Sequence, residues 1–241
     1  MSGLIHNLWH HRWLLRSLPY TLWFNFHYLP WRQAVRLPIV LYKPTLLSCK
    51  GSVRIKSDEI RFAMIQLGRF HVSLFPDTGI VFENHGGEVC FHGPCSVGNN
   101  SAISIGPKGC LEFGKGVCSS TTLRLACYNH IRLEDRVRLG WNCTVLDTDF
   151  HRLSAVPSTS VANVSSGDAN VRIGEETWVA MNCLIMKGSV LPPRCVIAAG
   201  SLTNRAYDVP AYSLLAGQPA QLKKTGVWRN QDADSLSGDF L

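Results

Sequence analysis

Aliphatic side chains return every six residues along the middle of this chain. Leu133, Leu139 and Val145 mark one run, and Ile173, Val179, Ile185, Leu191 and Ile197 mark another. A second set lies two places earlier and is small or apolar: Ile131, Val137 and Cys143, then Val171, Thr177, Cys183, Ser189 and Cys195. Glycine or alanine follows the main aliphatic at Gly140, Gly174, Ala180 and Ala198. A weaker run, Phe113-Gly114, Ser119 and Leu125, precedes with a two-residue offset, and before about residue 95 the register blurs. A period of six is neither the helical 3.6 nor simple alternation. It requires short strands joined by tight corners that all turn the same way, three strands to a coil of about eighteen residues. One coil cannot bury its own inner face, so several must stack. The expected fold is all-β: a single-stranded left-handed parallel β-helix.

The beat breaks once inside the stretch "LGWNCTVLDTDFHRL", residues 139–153. Asp147, Asp149 and His151 arrive at alternate positions, where more aliphatics are due. Six steps beyond Cys143 fall on Asp149, and six beyond Val145 on His151. Burying both there without partners would be costly, so the chain must leave the coil. The polar run that follows predicts an excursion over residues 152–170 with His151 at its root, and the beat resumes at Val171. Long loops of this kind usually carry function.

Three segments follow. Residues 49–205 form the β-helix. Residues 206–241, with two prolines and a short basic run, form a cap for the last coil and a polar tail. Residues 1–48 form an aromatic, helix-permissive extension, punctuated by Pro19, Pro30, Pro38 and Pro44. Each proline limits a helix, so two or three short helices are expected there. The formal net charge of +7 is concentrated at this end. Arg12, Arg16, Arg32, Arg36, Lys43, Lys50, Arg54 and Lys56 face only Asp58 and Glu59 across the first sixty residues. Such an end could meet a membrane surface, and no nucleic-acid motif accompanies it. No run approaches the ~20 uncharged apolar residues of a transmembrane helix. The nine cysteines form no CxxC pairs; Cys143, Cys183 and Cys195 fall in small inward slots, as reduced thiols of a cytoplasmic protein would.

The residues from "VRIGEETWVAMNCLIMKGSVLPPRCVIAAGSLTN" through Lys224, together with "LEDRVRLGWNCTVLDTDFH", resemble the hexapeptide-repeat acyltransferases. The similarity is to maltose, galactoside and xenobiotic acetyltransferases, most closely to those that O-acetylate bacterial surface polysaccharides. That resemblance implies transfer from acetyl-CoA to a sugar hydroxyl, without a metal, by a homotrimer whose sites lie between adjacent prisms. It makes His151 the general base, a role for which imidazole is suited because it titrates near neutrality. Asp149 or Asp147 would orient the imidazole or hold sugar hydroxyls, and both also read as turn-forming aspartates. Trp178 would lie beside the acceptor or cofactor groove, or pack at the trimer contact. Ala180 and Ala199 would let the pantetheine arm approach, Asn204 and Arg205 would lie near the pyrophosphate, and Lys224 near the nucleotide phosphates. Gln221 stands where some relatives have arginine.

Three rivals are weaker. A γ-type carbonic anhydrase needs three histidines around its metal, whereas no histidine follows His151 and His130 has no second partner in the repeat. A uridylyltransferase needs a nucleotide-binding domain that the first 48 residues cannot supply. A scaffold without chemistry has no use for "DTDFH". N-acetylation of an amino-sugar nucleotide stays open beside O-acetylation.

Overall fold

The computed structural model describes residues 12–70, 72–151, 153–156 and 167–230, with side chains from Ser17 onward. From Ile39 the chain winds as a three-faced parallel coil. The first face opens with Ile39–Leu41 and closes with Ser213–Gly217, against which Ala220–Thr225 folds back antiparallel. The second runs from Pro44–Cys49 to Leu202–Thr203, and the third from Ser52–Ile55 to Val190–Leu191. This is the left-handed parallel β-helix that the six-residue beat predicts.

All eight aliphatics of the main set point inward, none more than 2% exposed. Each fully buried side chain of this kind contributes roughly 1.5–3 kcal/mol. The small set sits at the tight ends of the strands. Cys143 and Cys183 are buried free thiols that donate to the carbonyls of Ala180 and Ala198, at 3.0 and 3.1 Å. In the last coils, partners lie eighteen residues apart, as Leu184 opposite Leu202. Earlier coils are longer: Arg124 faces Thr144, and Ala102 faces Arg124. The added residues lengthen strands and corners, and this is why the beat drifts there although every strand keeps its inward set.

The corners repeat as faithfully as the core. Between the first and second faces, Asn142 and Asn182 take positive φ (54° and 58°), a region asparagine tolerates better than most side chains. Asn142 Nδ2 donates to Asn182 Oδ1 at 2.9 Å. Between the third and first faces, Arg136, Glu176 and Arg194 take the same conformation. The guanidinium of Arg136 donates to one oxygen of Glu176 and that of Arg194 to the other, at 2.6 and 2.7 Å. Arg194, and then Arg136, hold the Glu176 carboxyl below the usual carboxylate range. A charge ladder thus runs along a corner whose backbone is strained.

The N-terminal end departs from expectation in two ways. Strand pairing begins at Ile39 rather than after residue 48, because Ile39–Leu41 and Pro44–Cys49 already belong to the first coil. Two helices stand among the described residues, within the expected number, but the first, α1 (Arg12–Tyr28), continues through Pro19 where a break was expected; the second, α2 (Trp31–Ala34), is a single turn. External hydrogen bonds hold α1 and offset the lost helical bond. Its buried side carries three polar residues, Ser17, Thr21 and Asn25, beside Phe24. Asn25 Oδ1 accepts the N–H of Ile39, Thr21 Oγ1 that of Leu41, and Ser17 Oγ that of Lys43, at 3.0–3.1 Å. Four residues of helix and two of strand both advance about 6 Å, so the two ladders match. An open sheet edge would otherwise expose unpaired amides; here three side chains close it, while Phe24 and Leu29 extend the core.

Candidate active site

The second-face strand Thr144–Leu146 ends at Asp147, which is fully buried. Its carboxylate accepts the N–H of Tyr128 at 2.7 Å and of Asn129 at 2.8 Å, two amides of the corner in the preceding coil. Burial raises its carboxyl above the ordinary range and outweighs these two bonds, which pull the other way. The chain then departs. Asp149 N–H donates to the Gly167 carbonyl and Ala169 N–H to the Asp147 carbonyl, and Thr148 bridges Asp168 antiparallel. The excursion therefore opens at Asp147 rather than at residue 152, because a buried carboxylate pins the coil just before the neck. His151 stands beyond the neck, not at its root. Residues 152 and 157–166 of the expected loop lie outside the described residues.

Phe150 makes the turn with φ 59°, its N–H on Thr148 Oγ1 at 3.0 Å and its ring edge-on to Tyr128. His151 is exposed at the rim of a cleft of about 330 Å³ lined also by Lys108, Tyr128, Thr148, Phe150 and Asp168. That volume falls at the small end of ordinary ligand sites. No hydrogen bond joins His151 to either predicted carboxylate among the described residues. Asp147 spends both oxygens on backbone amides, and Asp149 pairs with Lys187 Nζ at 2.6 Å.

The other predicted residues divide between two edges of the prism. Asn204 and Arg205 follow Leu202–Thr203 on the edge between the second and third faces, the same edge as His151, Asp149 and Lys187. Both are exposed, and the Arg205 guanidinium lies over the Tyr207 ring. Ala180 and Ala199 turn the edge between the first and second faces, with Ala180 buried and Ala199 exposed. Trp178 lies on the outside of the first face beneath the guanidinium of Arg229, 5.8 Å away. Lys224 is exposed on the antiparallel edge strand, opposite Leu214.

Lys108, Tyr128 and Phe150 are cleft residues that the sequence reading missed. The pairing of Arg124 with Thr144 brings Tyr128 level with Thr148. Gly106 leaves room for the Tyr128 ring, where a Cβ would sit 2.5 Å from the nearest ring carbon. The glycine was a readable signal, but only once the coil length at that point is known.

Three faces of parallel strands, a six-residue inward beat, and positive-φ corners repeated coil after coil define one kind of architecture. The chain is a three-faced parallel β-helix built on a six-residue beat. No family model matches it. The chain is 24% identical over 218 residues to a probable acetyltransferase of Mycobacterium tuberculosis, an alignment covering 88% of the chain. It spans 61% of that relative's length. A hexapeptide-repeat acetyltransferase of Vibrio cholerae, solved with acetyl coenzyme A, overlaps 60% of the chain and 70% of its own, at 18% identity and a TM-score of 0.39. The polySia-specific acetyltransferase NeuO overlaps 84% of the chain and 83% of its own, at 20% identity and a TM-score of 0.40. The fold rests on the chain's own strand pairing rather than on these two overlaps.

Proposed function

We propose that this protein transfers an acetyl group from acetyl-CoA to a sugar hydroxyl, in the building of a bacterial surface polysaccharide. The observation that carries the reading is His151: an exposed imidazole at the rim of a cleft, on the one segment that interrupts the beat. Similarity to a probable acetyltransferase over most of the chain supports the reaction class. The imidazole takes the proton of the acceptor hydroxyl as its oxygen attacks the thioester carbonyl carbon. The carbon–sulfur bond then breaks, and the imidazolium returns the proton to the departing thiolate. Base catalysis of this kind is worth about 10²–10⁴-fold, and holding donor and acceptor together supplies much of the rest. Asp147 acts by fixing the neck, and Asp149 with Lys187 offers paired polar groups to the acceptor.

The division of the predicted groups between two edges supports a site shared by two chains of a homotrimer. In that arrangement the His151 edge of one prism faces the Ala180 and Ala199 edge of the next, with Asn204, Arg205 and Lys224 toward the nucleotide. The test is thiol release from acetyl-CoA with a panel of mono- and oligosaccharides. Acceptor-dependent release that drops at least 10²-fold in His151→Ala, with unchanged melting temperature, is expected; equal release from both proteins sinks the mechanism.

We also propose that α1 docks on the inner face of a membrane. Its three buried polar residues are spent on the coil, and apolar residues look outward: Leu18, Tyr20, Trp23 and Phe26 are each more than 40% exposed. No carboxylate occurs before Asp58, while Arg32, Arg36 and Lys50 follow the helix in sequence. Exposed aromatic rings on a cation-rich, carboxylate-free segment suit an anionic bilayer. No helix among the described residues is long and apolar enough to cross one. The protein should float with anionic vesicles and not with neutral ones, and Trp23→Ser/Phe26→Ser should stay behind. Equal flotation of that variant, or none for the parent, would remove the proposal.

A further inference from the structure

We propose that the outer side of the third face carries a binding site for a divalent transition metal of the zinc type, formed by Cys110, Glu112 and His130. Alternate residues of a strand share a face, so Cys110 and Glu112 on Cys110–Phe113 project outward together. His130 opens the next strand of that face, directly opposite Cys110. The thiol sulfur, a carboxylate oxygen and an imidazole nitrogen come within 4.8 Å of one another. His130 Nε2 lies 2.9 Å from Glu112 Oε1, and His92 Nε2, from the coil before, lies 2.9 Å from Oε2. One carboxylate is thus bracketed by two imidazoles with a thiol beside it, on three adjacent and firmly paired strands.

An imidazole–carboxylate pair needs no thiol, and the sulfur is what selects the ligand. A sulfur, nitrogen and oxygen donor set suits Zn²⁺ or Co²⁺ rather than the all-oxygen preference of Ca²⁺ or Mg²⁺. Zinc bonds of about 2.0–2.3 Å set tetrahedral donor atoms about 3.3–3.7 Å apart, so the thiol sulfur, within 4.8 Å of the other donors, moves in while the imidazole and carboxylate, now 2.9 Å apart, open slightly; side-chain rotation reaches this while the backbones stay fixed. His92 keeps its bond to Oε2 and orients the carboxylate, as outer partners of metal ligands do. Two cations compete: Lys56 acts on the Cys110 thiol, and Arg132 lies 4.0 Å from Glu112 Oε1, half-exposed and also 3.9 Å from Glu134, toward which it can swing. A metal here would tie two coils together on a face that the proposed acetyl transfer does not use, so the site stands whether or not that transfer is correct.

The test uses the full-length protein, stripped with a chelator and titrated with Co²⁺. One equivalent should bind with a thiolate-to-cobalt charge-transfer band, reversed by Zn²⁺, and Zn²⁺ should raise the melting temperature. Cys110→Ser should abolish the band and the thermal shift, Glu112→Gln should weaken binding by about 10–100-fold, and Cys90→Ser should keep the band. Both ligand variants should melt as the parent does when chelator is present, which separates lost metal from lost folding. A band that survives Cys110→Ser overturns the assignment. So does binding without a thiolate band, which the sequence's His6, His10 and His11 could give alone.

Discussion

Replacing Asp147 with alanine strips two acceptors from the backbone amides of Tyr128 and Asn129, at a position with no solvent access. Hydrogen bonds to a charged group contribute about 1.5–3 kcal/mol each, and the amides left behind are buried donors. The expected loss is about 3–5 kcal/mol. For a domain of this size each kcal/mol moves the midpoint by about 2–4 °C, giving a fall of roughly 6–20 °C. Asp147→Asn keeps one acceptor and turns an NH₂ group toward the other amide, so about half that loss is expected. The pH dependence has a definite sign. The folded-state carboxyl is raised by burial, so the folded protein holds this proton more tightly than the unfolded chain. The stability it contributes is full below the ordinary carboxylate range, near pH 4, and declines as pH rises through the raised value. The gap between the parent and Asp147→Asn should therefore narrow from about pH 4 upward. Thermal unfolding followed by tryptophan fluorescence measures all of this. If Asp147→Ala melts within about 0.5 kcal/mol of the parent while its turnover collapses, Asp147 serves the imidazole rather than the corner, and the reasoning is refuted.

Glu176→Gln should lower the melting temperature at neutral pH, since both arginines lose their charged partner. The Glu176 carboxyl is held low, so its contribution is present above the unfolded value, about 4.3, and lost as pH falls through the depressed one; the gap to the parent should close in acid, and a gap constant with pH would contradict the ladder. Asn25→Ala leaves the Ile39 N–H and carbonyl without their side-chain partner, and should cost about 2–4 kcal/mol with early amide exchange at Ile39 and Leu41; protection equal to the parent's would mean that α1 does not close the edge. Gly98→Ala would drive its Cβ into the carbonyl oxygen of Ser120, and should destabilise the coil by about 1–3 kcal/mol or more, where a parent-like melt would contradict the packing of that corner.

Much of this fold was legible because six-residue spacing has few structural solutions. From Leu133 to Ile197 every aliphatic of the beat is buried as the pattern required. The early coils were harder, since their partners lie twenty, twenty-two or more residues apart and no fixed step finds them. The interrupted beat pointed to His151, but not to the cleft around it: Lys108 and Tyr128 come from earlier coils, and only the register brings them level. Asp147 and Asp149 were open between two roles, and hydrogen bonds that no sequence displays commit one to the corner and the other to Lys187. At α1 the sequence did not show which residues turn inward, because an open strand edge needs acceptors as well as hydrocarbon. Ser17, Thr21 and Asn25 therefore go inward beside Phe24, and Trp23 stays out.

The central claim is that the proposed base and the proposed acyl groove belong to neighbouring chains. It is tested most directly by mixing two inactive variants. His151→Ala removes the base, and Ala199→Trp fills the other edge. After co-refolding, every mixed trimer would hold one site with both intact halves, so acceptor-dependent thiol release should return well above either parent variant. No recovery, in mixtures shown by mass to contain both chains, would contradict a site shared between prisms.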